Sequence, residues 1–401
     1  MKAACPVPDA YDPAAPKRPA MKSVPLTLYV HVPWCRSKCP YCDFNSHPLR
    51  GNLDEPGYIE ALLRDLSLEI HLAQDRPLES IFIGGGTPSL LSGRGIERLL
   101  QGIRQSLLWR DEIEITLEAN PGTFEMERFA QYREAGVNRL SLGIQSFDDD
   151  SLGRLGRIHS AAEAMNAVRH ARAIGFDNLN LDLMYGLPRQ SLQQARADLQ
   201  RAIELEPSHL SYYQLTIETG TVFARTPPPL PSEEDGWQMQ EQGQALLDGS
   251  SYRQYEVSAF ARDGYECVHN RNYWQFGDYL GIGAGAHAKI SFPDKNRVQR
   301  RWKIEHPERY LAGVATARPV AGESEPDAGD LLFEFMLNAL RLVSGVPRDL
   351  FTERTGLPLS LLAPRLESAI ERGLLAVQPD RWLPTPLGWR FLNDLVGLFL
   401  P

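Results

Sequence analysis

Residues 26–44 read LTLYVHVPWCRSKCPYCDF, and this stretch decides the fold. Residues 26–32 alternate apolar and polar side chains and are rich in β-formers, which predicts a strand that the following proline ends. Three of the five cysteines in the chain then follow with the spacing C-x-x-x-C-x-x-C, at Cys35, Cys39 and Cys42. Three thiolates on one short loop can hold a metal centre from a single side.

The spacing of the cysteines limits which metal centre they could hold. A structural zinc site needs four closed ligands, usually from two C-x-x-C pairs, and the remaining Cys5 and Cys267 form no second pair. A disulfide framework favours an even number of cysteines and a secreted protein, and neither is evident. The bacterial ferredoxin run has another spacing and a fourth cysteine. Three cysteines on a 4Fe-4S cluster would leave one iron open to a ligand that binds through nitrogen and oxygen. Zinc, or cysteines that only pack, stays open as an alternative.

Strands and helices alternate through the first half of the chain. This alternation predicts parallel β/α units, which right-handed crossovers can curl into part of a barrel. We therefore predict an α/β fold with a partial (β/α)6 barrel. The notable residues lie at the carboxyl ends of the strands, the face that carries the site in β/α barrels. The six predicted strands are residues 26–32, 80–83, 112–118, 139–142, 179–184 and 209–215.

Proline clusters and polar stretches divide the chain into segments. Prolines at residues 227–231 break the alternation and end the predicted barrel. A polar linker at residues 321–329 precedes two predicted helices, a hairpin near residue 379 and a last helix, which together predict a small winged-helix-like α+β domain. The predicted segments are a flexible tail at 1–24, the barrel at 25–230, a barrel extension at 231–320 and a C-terminal domain at 321–401.

Composition and charge exclude several classes of function. The chain of 401 residues carries 51 acidic and 42 basic residues, a formal charge of −9, which argues against sequence-independent nucleic-acid binding as its main role. No uninterrupted apolar run is long enough to span a bilayer, and the first residues lack the apolar core of a secretory signal. Few cysteines and no export signal favour the cytoplasm, where thiolates stay reduced.

Four further motifs follow predicted strands. Gly84–Pro88 reads GGGTP, and glycines there would let a ligand approach the backbone closely, although a plain tight turn is the alternative. Glu118 could accept hydrogen bonds from ribose hydroxyls, or it could be a solvated surface acid. Gln145 and Asp182 occupy similar positions, and Asp182, flanked by leucines, would need a partner if buried. Arg157 could meet a carboxylate or an adenosine group, or lie on the surface.

The cysteine motif directly after a first strand resembles the signature of the radical S-adenosylmethionine (SAM) proteins. In that family the open iron chelates the amino and carboxylate groups of SAM, and an electron from the cluster cleaves SAM to methionine and a 5′-deoxyadenosyl radical. The motifs YVHVPWC, GGGTP, LEANP, GIQSF, LGRIH and MYGLP are similar to those of the oxygen-independent coproporphyrinogen III oxidase superfamily. By that resemblance the SAM-binding region is lined by Tyr29, Tyr41, Gly85, Gly86, Thr87, Glu118, Gln145, Arg157 and Asp182, and the C-terminal domain is of the HemN type.

One departure from the oxidases points to a sister branch. The oxidases add a cysteine two positions after the third cluster ligand, where this chain has Phe44. The run CPYCDFN and the motif H-N-x-x-Y-W at His269–Trp274 resemble the HemW branch of heme chaperones, which bind heme and are thought to deliver it to heme-requiring proteins such as respiratory enzymes. The resemblance implies a 4Fe-4S cluster, SAM and heme as cofactors. It also implies a cytoplasmic protein with heme-accepting partners and an electron donor, without nucleic acid, and leaves peripheral membrane association open.

The H-N-x-x-Y-W motif has the chemistry that heme requires. Imidazole is a common axial ligand, and aromatic side chains can cover the macrocycle, so His269 with Tyr273 and Trp274 supplies both. A histidine and two aromatic residues packed in a core is the alternative. Further candidates for the heme ligand are His287, His31 and Cys267.

Two other functions compete with the heme chaperone. The first is the oxidase itself, in which a radical would abstract hydrogen from each of two propionate side chains, and Phe44 in place of the extra cysteine counts against it. The second is a zinc-stabilised nucleic-acid-binding protein, which a winged-helix-like domain would suit and the acidic charge opposes.

Overall fold

Six parallel strands joined by helices form the centre of the molecule, which confirms the predicted partial barrel. The computed structural model describes residues 19–401. The parallel strands lie side by side in chain order, with β2 and β3 apart from them as a short pair. The strands of this part are β1 (Leu26–Val32), β2 (Trp34–Cys35), β3 (His47–Pro48), β4 (Leu78–Gly85), β5 (Trp109–Ala119), β6 (Arg139–Gln145), β7 (Asn178–Tyr185) and β8 (His209–Gln214).

The helices between these strands pack against one face of the sheet. Ser160 with Glu163, and Ser191 with Gln194, form capping boxes that satisfy the free amides where two of the helices begin. Apolar side chains such as Leu62 join the strand residues in the main core cluster. These helices are α1 (Glu55–Glu69), α2 (Gly93–Ser106), α3 (Thr123–Met126), α4 (Phe129–Glu134), α5 (Asp149–Arg154), α6 (Ala161–Ala173) and α7 (Leu192–Glu204), with 3-10 turns at Ile70–Ala73 and Pro88–Leu90.

The opposite face of the barrel strands is polar. Successive residues of a strand point to opposite faces, so the apolar residues Leu28 and Val30 of β1 pack towards the helices while polar neighbours point inward. The inward side chains bond one another; for example, Asn180 donates to Asp182 Oδ1 at 2.8 Å. A buried polar interior of this kind is stable only when its groups are hydrogen-bonded. The interior of the barrel is therefore formed by hydrogen-bonded polar side chains and not by apolar ones.

The extension lengthens the sheet at both edges. Beyond β8 the sheet continues antiparallel through β10 and β9, and beyond β1 it continues through a parallel β11 and the antiparallel β12, β13 and β14. The elements of this part are α8 (Val222–Arg225), α9 (Glu233–Asp248), β9 (Arg253–Glu256), β10 (Ala259–Ala261), α10 (Val268–Trp274), β11 (Asp278–Ile282), β12 (His287–Phe292), a 3-10 turn at Pro293–Lys295, β13 (Arg297–Lys303), α11 (Pro307–Ala315) and β14 (Val320–Ser324).

The C-terminal domain is a small α+β unit with its own core cluster, built around Phe335, Phe351 and Trp382. Its three short strands pair antiparallel in the order β15, β17, β16. Among the described residues, none of the helices combines the length and the apolar character that crossing a bilayer requires. The elements are α12 (Ala328–Ala339), β15 (Val346–Pro347), α13 (Arg348–Thr355), a 3-10 turn at Leu359–Leu361, α14 (Ala363–Glu371), β16 (Leu375–Val377), β17 (Arg381–Pro384), α15 (Pro386–Arg390) and α16 (Leu392–Gly397).

Two predicted segment boundaries differ from the structure. The predicted boundary at residue 321 falls inside β14, which lies at the edge of the sheet. An edge strand can carry charged side chains on its exposed surface, so its polar sequence resembles that of a linker. The predicted tail at 1–24 lies largely outside the described residues, but Met21 and Val24 are buried. Met21 packs into the core cluster of the C-terminal domain, so this end of the predicted tail belongs to the fold.

Candidate functional site

The three cysteines lie on one loop at the carboxyl end of β1. Cys35 ends the short strand β2, which pairs with β3 and so closes the loop between them. The amide of Cys42 donates to the carbonyl of Cys39 at 3.2 Å, which makes a tight turn between these two side chains. Burial raises the pKa of the Cys35 thiol, and hydrogen bonds from Thr87 and Ser46 oppose the rise.

The glycines of the GGGTP motif bring the end of β4 against this loop. Gly85 has φ +118°, and a Cβ there would lie 2.7 Å from the His31 ring. A Cβ on Gly86 would lie 2.6 Å from the Trp34 carbonyl oxygen and 3.1 Å from Cys35 Sγ. Real Cβ contacts are not this short, so only glycine permits the approach. The close-approach interpretation is supported over the plain turn, although the close neighbour is the cysteine loop itself.

A cavity of about 420 Å³ opens at the carboxyl ends of the barrel strands and contains the cysteine loop. Its size and mixture of polar and apolar walls are those of a small-molecule site. The structure brings to it all the residues predicted for the cluster and SAM except Tyr29. Those lining it are Cys35, Cys39, Cys42, Tyr41, Gly85, Gly86, Thr87, Glu118, Gln145, Arg157 and Asp182.

Glu118 lies at the cavity wall, and it is not a solvated surface acid. Its Oε2 accepts a hydrogen bond from the amide of Gly85 at 3.1 Å. Burial, followed by the charge of nearby Asp182, raises the pKa of Glu118 from 4.5 to about 8. Near neutral pH this carboxyl therefore holds its proton and can donate a hydrogen bond as well as accept one.

Asp182 has the partners that its sequence context demanded. Its Oδ2 accepts from Ser141 Oγ at 3.2 Å and its Oδ1 from Asn180 Nδ2 at 2.8 Å. Burial raises the pKa of Asp182, and these hydrogen bonds oppose the rise. Gln145 adopts a left-handed backbone with φ 69°, and its Oε1 accepts from Tyr213 OH at 2.8 Å. Both side chains are thus fixed in place beside the cavity.

Arg157 connects the cysteine loop to the barrel. Its Nη2 donates to Asn120 Oδ1 at 2.8 Å and to the carbonyl of Gly143 at 2.7 Å. Its Nη1 lies 3.7 Å from Cys39 Sγ. The guanidinium therefore places a fixed positive charge beside one of the three sulfurs.

Tyr29 and His269 lie in the polar interior and do not line the cavity. Tyr29 OH donates to His31 Nδ1 at 3.0 Å, and its ring lies 6.3 Å from the His269 ring. His269 is on α10, 2% exposed, and its ring stacks on Phe82 at 5.0 Å. Ser80, near the start of β4, pairs with His269 Nδ1 at 3.0 Å. This position is towards the opposite end of the barrel from Gly85, which ends β4.

The other heme-ligand candidates have different surroundings. His287 is exposed and its ring stacks on Trp302 at 6.5 Å. His31 is buried and donates through Nε2 to the carbonyl of Asn45 at 2.8 Å. Cys267 is fully buried, with its thiol 3.5 Å from Glu114 Oε1. Of the three, only His287 is open to a ligand from solvent.

Several residues of the site were not predicted as site residues. Asn120 and Tyr213 line the cavity and hold Arg157 and Gln145, respectively. Asn120 lies within the LEANP motif and Tyr213 near the carboxyl end of β8, so the strand-end rule could have found both. Phe44 also lines the cavity and is 60% exposed.

The side chains present fit an iron-sulfur cluster better than a single ion. Within residues 19–401, no group of three or more histidine, cysteine or carboxylate side chains could hold one metal ion. A tetrahedral zinc site would need such a group, whereas a four-iron cluster binds each thiolate at a different iron. Three cysteines converge on one cavity, beside a glycine that leaves space where a Cβ would touch Cys35. The donor set therefore fits a cluster with one iron left for another ligand.

Comparison with known protein families gives two matches along the chain. Residues 29–202 match the radical SAM superfamily, and residues 327–391 match the HemN C-terminal domain. The second match begins after β14 and runs from α12 to α15.

Similar proteins cover nearly the whole chain. Heme chaperone HemW of Escherichia coli strain K12 is 50% identical over 380 residues, which are 95% of this chain and 99% of that protein. Heme chaperone HemW of Haemophilus influenzae strain Rd is 49% identical over 383 residues, which are 94% of this chain and 99% of that protein. Among solved structures, the radical SAM enzyme coproporphyrinogen III oxidase (HemN) of Escherichia coli shares the fold, with a TM-score of 0.80 and 24% identity over 94% of this chain and 90% of that chain.

Proposed function

Since the chain belongs to the HemW family within the radical SAM superfamily, we propose that it is a heme chaperone that binds heme on this scaffold and delivers it to heme-dependent proteins such as respiratory enzymes. One observation carries the choice between chaperone and oxidase. The cysteine loop keeps three sulfurs at the cavity, but it presents the exposed ring of Phe44 at the position where the oxidases add a cysteine.

Cys35, Cys39 and Cys42 would hold a 4Fe-4S cluster, and SAM would complete the open iron. Bound together, the cluster and SAM supply one-electron chemistry. Among the chain's own residues, Arg157 offers a positive charge to a carboxylate, and protonated Glu118 can hydrogen-bond a hydroxyl. Asp182, fixed by Ser141 and Asn180, presents a second carboxyl to the same cavity. These groups orient a polar ligand.

His269 is the proposed heme contact, and one structural feature supports it. Its Nε2 is buried and makes no hydrogen bond to any described residue. Burial, followed by the charge of Arg139, lowers the pKa of His269 from 6.5 to about 3, so the ring is neutral. In the tautomer whose Nδ1 donates to Ser80 Oγ, the lone pair of Nε2 is free for a metal. The ring is also closed to solvent, so heme binding through it requires α10 to move away from β4. The exposed His287 needs no such movement and is the second candidate.

The decisive experiment uses one sample for two assays. The protein is reconstituted anaerobically with iron and sulfide, titrated with heme, and incubated with coproporphyrinogen III, SAM and dithionite. We expect saturable heme binding and no conversion of the porphyrinogen. Conversion to protoporphyrinogen would establish the oxidase instead, and zinc without iron or sulfide in the protein as isolated would support the nucleic-acid-binding alternative.

The heme ligand can be assigned with matched histidine variants. His269→Ala should weaken heme binding at least tenfold and change the Soret band, whereas His170→Ala, on the exposed surface of α6, should leave both as in the unmodified protein. Loss of the band in His287→Ala, with His269→Ala unaffected, would transfer the assignment to His287.

The proposed partners are heme-accepting proteins and an electron donor, and we propose that the chain meets them in the cytoplasm, with association at the membrane surface left open. A strain that lacks the gene separates the two main functions. We expect it to make heme normally but to contain heme-poor respiratory enzymes. A block in heme synthesis itself would support the oxidase.

A further inference from the structure

Two of the three cysteine sulfurs have a hydrogen-bond donor beside them. Ser46 Oγ lies 3.8 Å from Cys42 Sγ, and Arg157 Nη1 lies 3.7 Å from Cys39 Sγ. The hydroxyls of Thr87 and Ser46 also oppose the rise that burial causes in the pKa of the Cys35 thiol.

The backbone that carries the Ser46 hydroxyl is held in place by hydrogen bonds. Ser46 is 4% exposed, its amide donates to the carbonyl of Phe44 at 2.6 Å, and its carbonyl accepts from Lys38 Nζ at 3.0 Å. The preceding Asn45 donates through Nδ2 to the carbonyls of Ala284 at 2.9 Å and Glu305 at 3.0 Å. A donor held in this way does not need to reorganise when charge develops on the sulfurs.

The turn at residues 283–286 is shaped to accept Asn45. A Cβ on Gly285 would lie 2.2 Å from Asn45 Nδ2, so only glycine allows this contact. His47 Nε2 also donates to Asn45 Oδ1 at 3.0 Å, which leaves the amide fully bonded. The glycine-rich sequence GIGAGAH at Gly281–His287 thus holds the segment that carries Ser46.

Hydrogen bonds to cysteine sulfur are one of the means by which a protein sets the reduction potential of an iron-sulfur cluster. When the cluster accepts one electron, the negative charge on its sulfurs increases. A hydroxyl that donates to those sulfurs stabilises the reduced form more than the oxidised form. Removal of such a donor should therefore make the potential more negative.

We propose that Ser46 is a positioning residue whose hydroxyl, held in place by Asn45 and the 283–286 turn, donates to the sulfur of Cys42 and raises the reduction potential of the cluster. This inference rests on the proposed 4Fe-4S cluster. It concerns the ease of electron entry and not the identity of the ligand that completes the cluster.

The test is a redox titration of the reconstituted protein with dithionite as the one-electron reductant, followed by electron paramagnetic resonance of the reduced cluster. We expect Ser46→Ala to keep the iron and sulfide content of the unmodified protein and to titrate at a more negative potential. Equal potentials for Ser46→Ala and the unmodified protein would overturn the proposal.

A second pair of variants ensures that the conclusion does not rest on Ser46→Ala alone. Ser46→Thr and Ser46→Val have the same shape and differ in the hydroxyl, so we expect Ser46→Thr to titrate close to the unmodified protein and Ser46→Val to shift with Ser46→Ala. If Ser46→Ala and Ser46→Val both fail to hold a cluster that the unmodified protein holds, the hydroxyl is needed for retention and the proposal is wrong. If the unmodified protein itself assembles no iron and sulfide, the proposed function fails instead.

Discussion

The amide of Gly85 donates a hydrogen bond to Oε2 of Glu118 at 3.1 Å, and this bond joins the ends of β4 and β5 at the cavity wall. The glycine has a backbone conformation that other residues avoid, and the carboxyl is buried with a raised pKa. A backbone conformation that favours glycine and a carboxyl group with a raised pKa thus meet at one contact, and each leads to a prediction that can be measured.

Replacement of Gly85 should be costly because its φ of +118° is unfavourable for any side chain and its new Cβ would press on His31. We expect Gly85→Ala to lower the free energy of unfolding by about 1–3 kcal/mol and to weaken SAM binding. Gly153→Ala is the control, since Gly153 lies in α5 with nothing within 4 Å of its Cβ, and it should change stability by less than about 1 kcal/mol. Urea unfolding and SAM titration provide the measurements, and equal behaviour of the two variants would contradict the prediction.

The raised pKa of Glu118 should make stability depend on pH. The folded state keeps this proton up to about pH 8, whereas the unfolded chain releases it near 4.5. Its contribution is therefore complete below about pH 4.5 and is lost as the pH rises through about 8. Glu118→Gln stays neutral at every pH. We therefore expect the free energy of unfolding of Glu118→Gln, relative to that of the unmodified protein, to increase as the pH rises from about 5 to about 9. Glu241→Gln, on the exposed surface of α9, should follow the unmodified protein at every pH. Parallel curves for all three proteins would show that Glu118 titrates normally.

The cysteines should differ sharply in their importance for the cluster. Cys39→Ala removes one of the three sulfurs at the cavity, and we expect iron, labile sulfide and the brown absorbance to fall to background after reconstitution. Cys267→Ala alters a buried thiol beside Glu114, away from the cavity, and should reconstitute normally. A normal cluster in Cys39→Ala would mean that the ligand assignment is wrong.

A buried ion cluster connects α1 to the extension of the sheet. Lys303 Nζ lies 2.6 Å from Asp65 Oδ1 and 3.0 Å from Glu69 Oε1, with 1% of the lysine side chain exposed. Lys303→Met would leave the buried carboxylate of Asp65 without its cation, while Glu69 would keep only Arg301, whose Nη2 lies 3.2 Å from its Oε1. We expect a loss of about 3–5 kcal/mol in the free energy of unfolding. Lys22→Met removes an exposed partner of Glu353 and should cost less than about 1 kcal/mol. Similar losses in both variants, measured by urea unfolding, would show that burial does not govern the effect.

The sequence predicted the barrel well because each of its strands carries a local signal. Residues 26–32 form β1 as predicted, and the strands predicted at residues 139–142 and 179–184 lie within β6 and β7. Most of the predicted site residues also lie around one cavity, because parallel strands place their carboxyl ends at one edge whatever the detailed packing. That rule was sufficient for Glu118 and Asp182, which lie on neighbouring parts of the same cavity.

The extension was harder to predict because its structure depends on distant partners. β11 pairs with β1, although the two strands are more than two hundred residues apart in the sequence, and no local pattern in the sequence of β11 predicts that pairing. The burial of His269 has the same origin, since α10 packs against β4 rather than facing solvent. Spacing within H-N-x-x-Y-W can indicate chemistry, but it cannot show which wall of the barrel covers the ring.

The contacts of Asn45 have a consequence for the order in which the molecule matures. Its amide reaches carbonyls that are 239 and 260 residues further along the chain. A nascent polypeptide therefore exposes its cysteines long before the groups that fasten their loop have left the ribosome. Insertion of iron and sulfide should be most efficient after synthesis has passed residue 305, and fragments that stop near the end of the barrel should lose the metal readily.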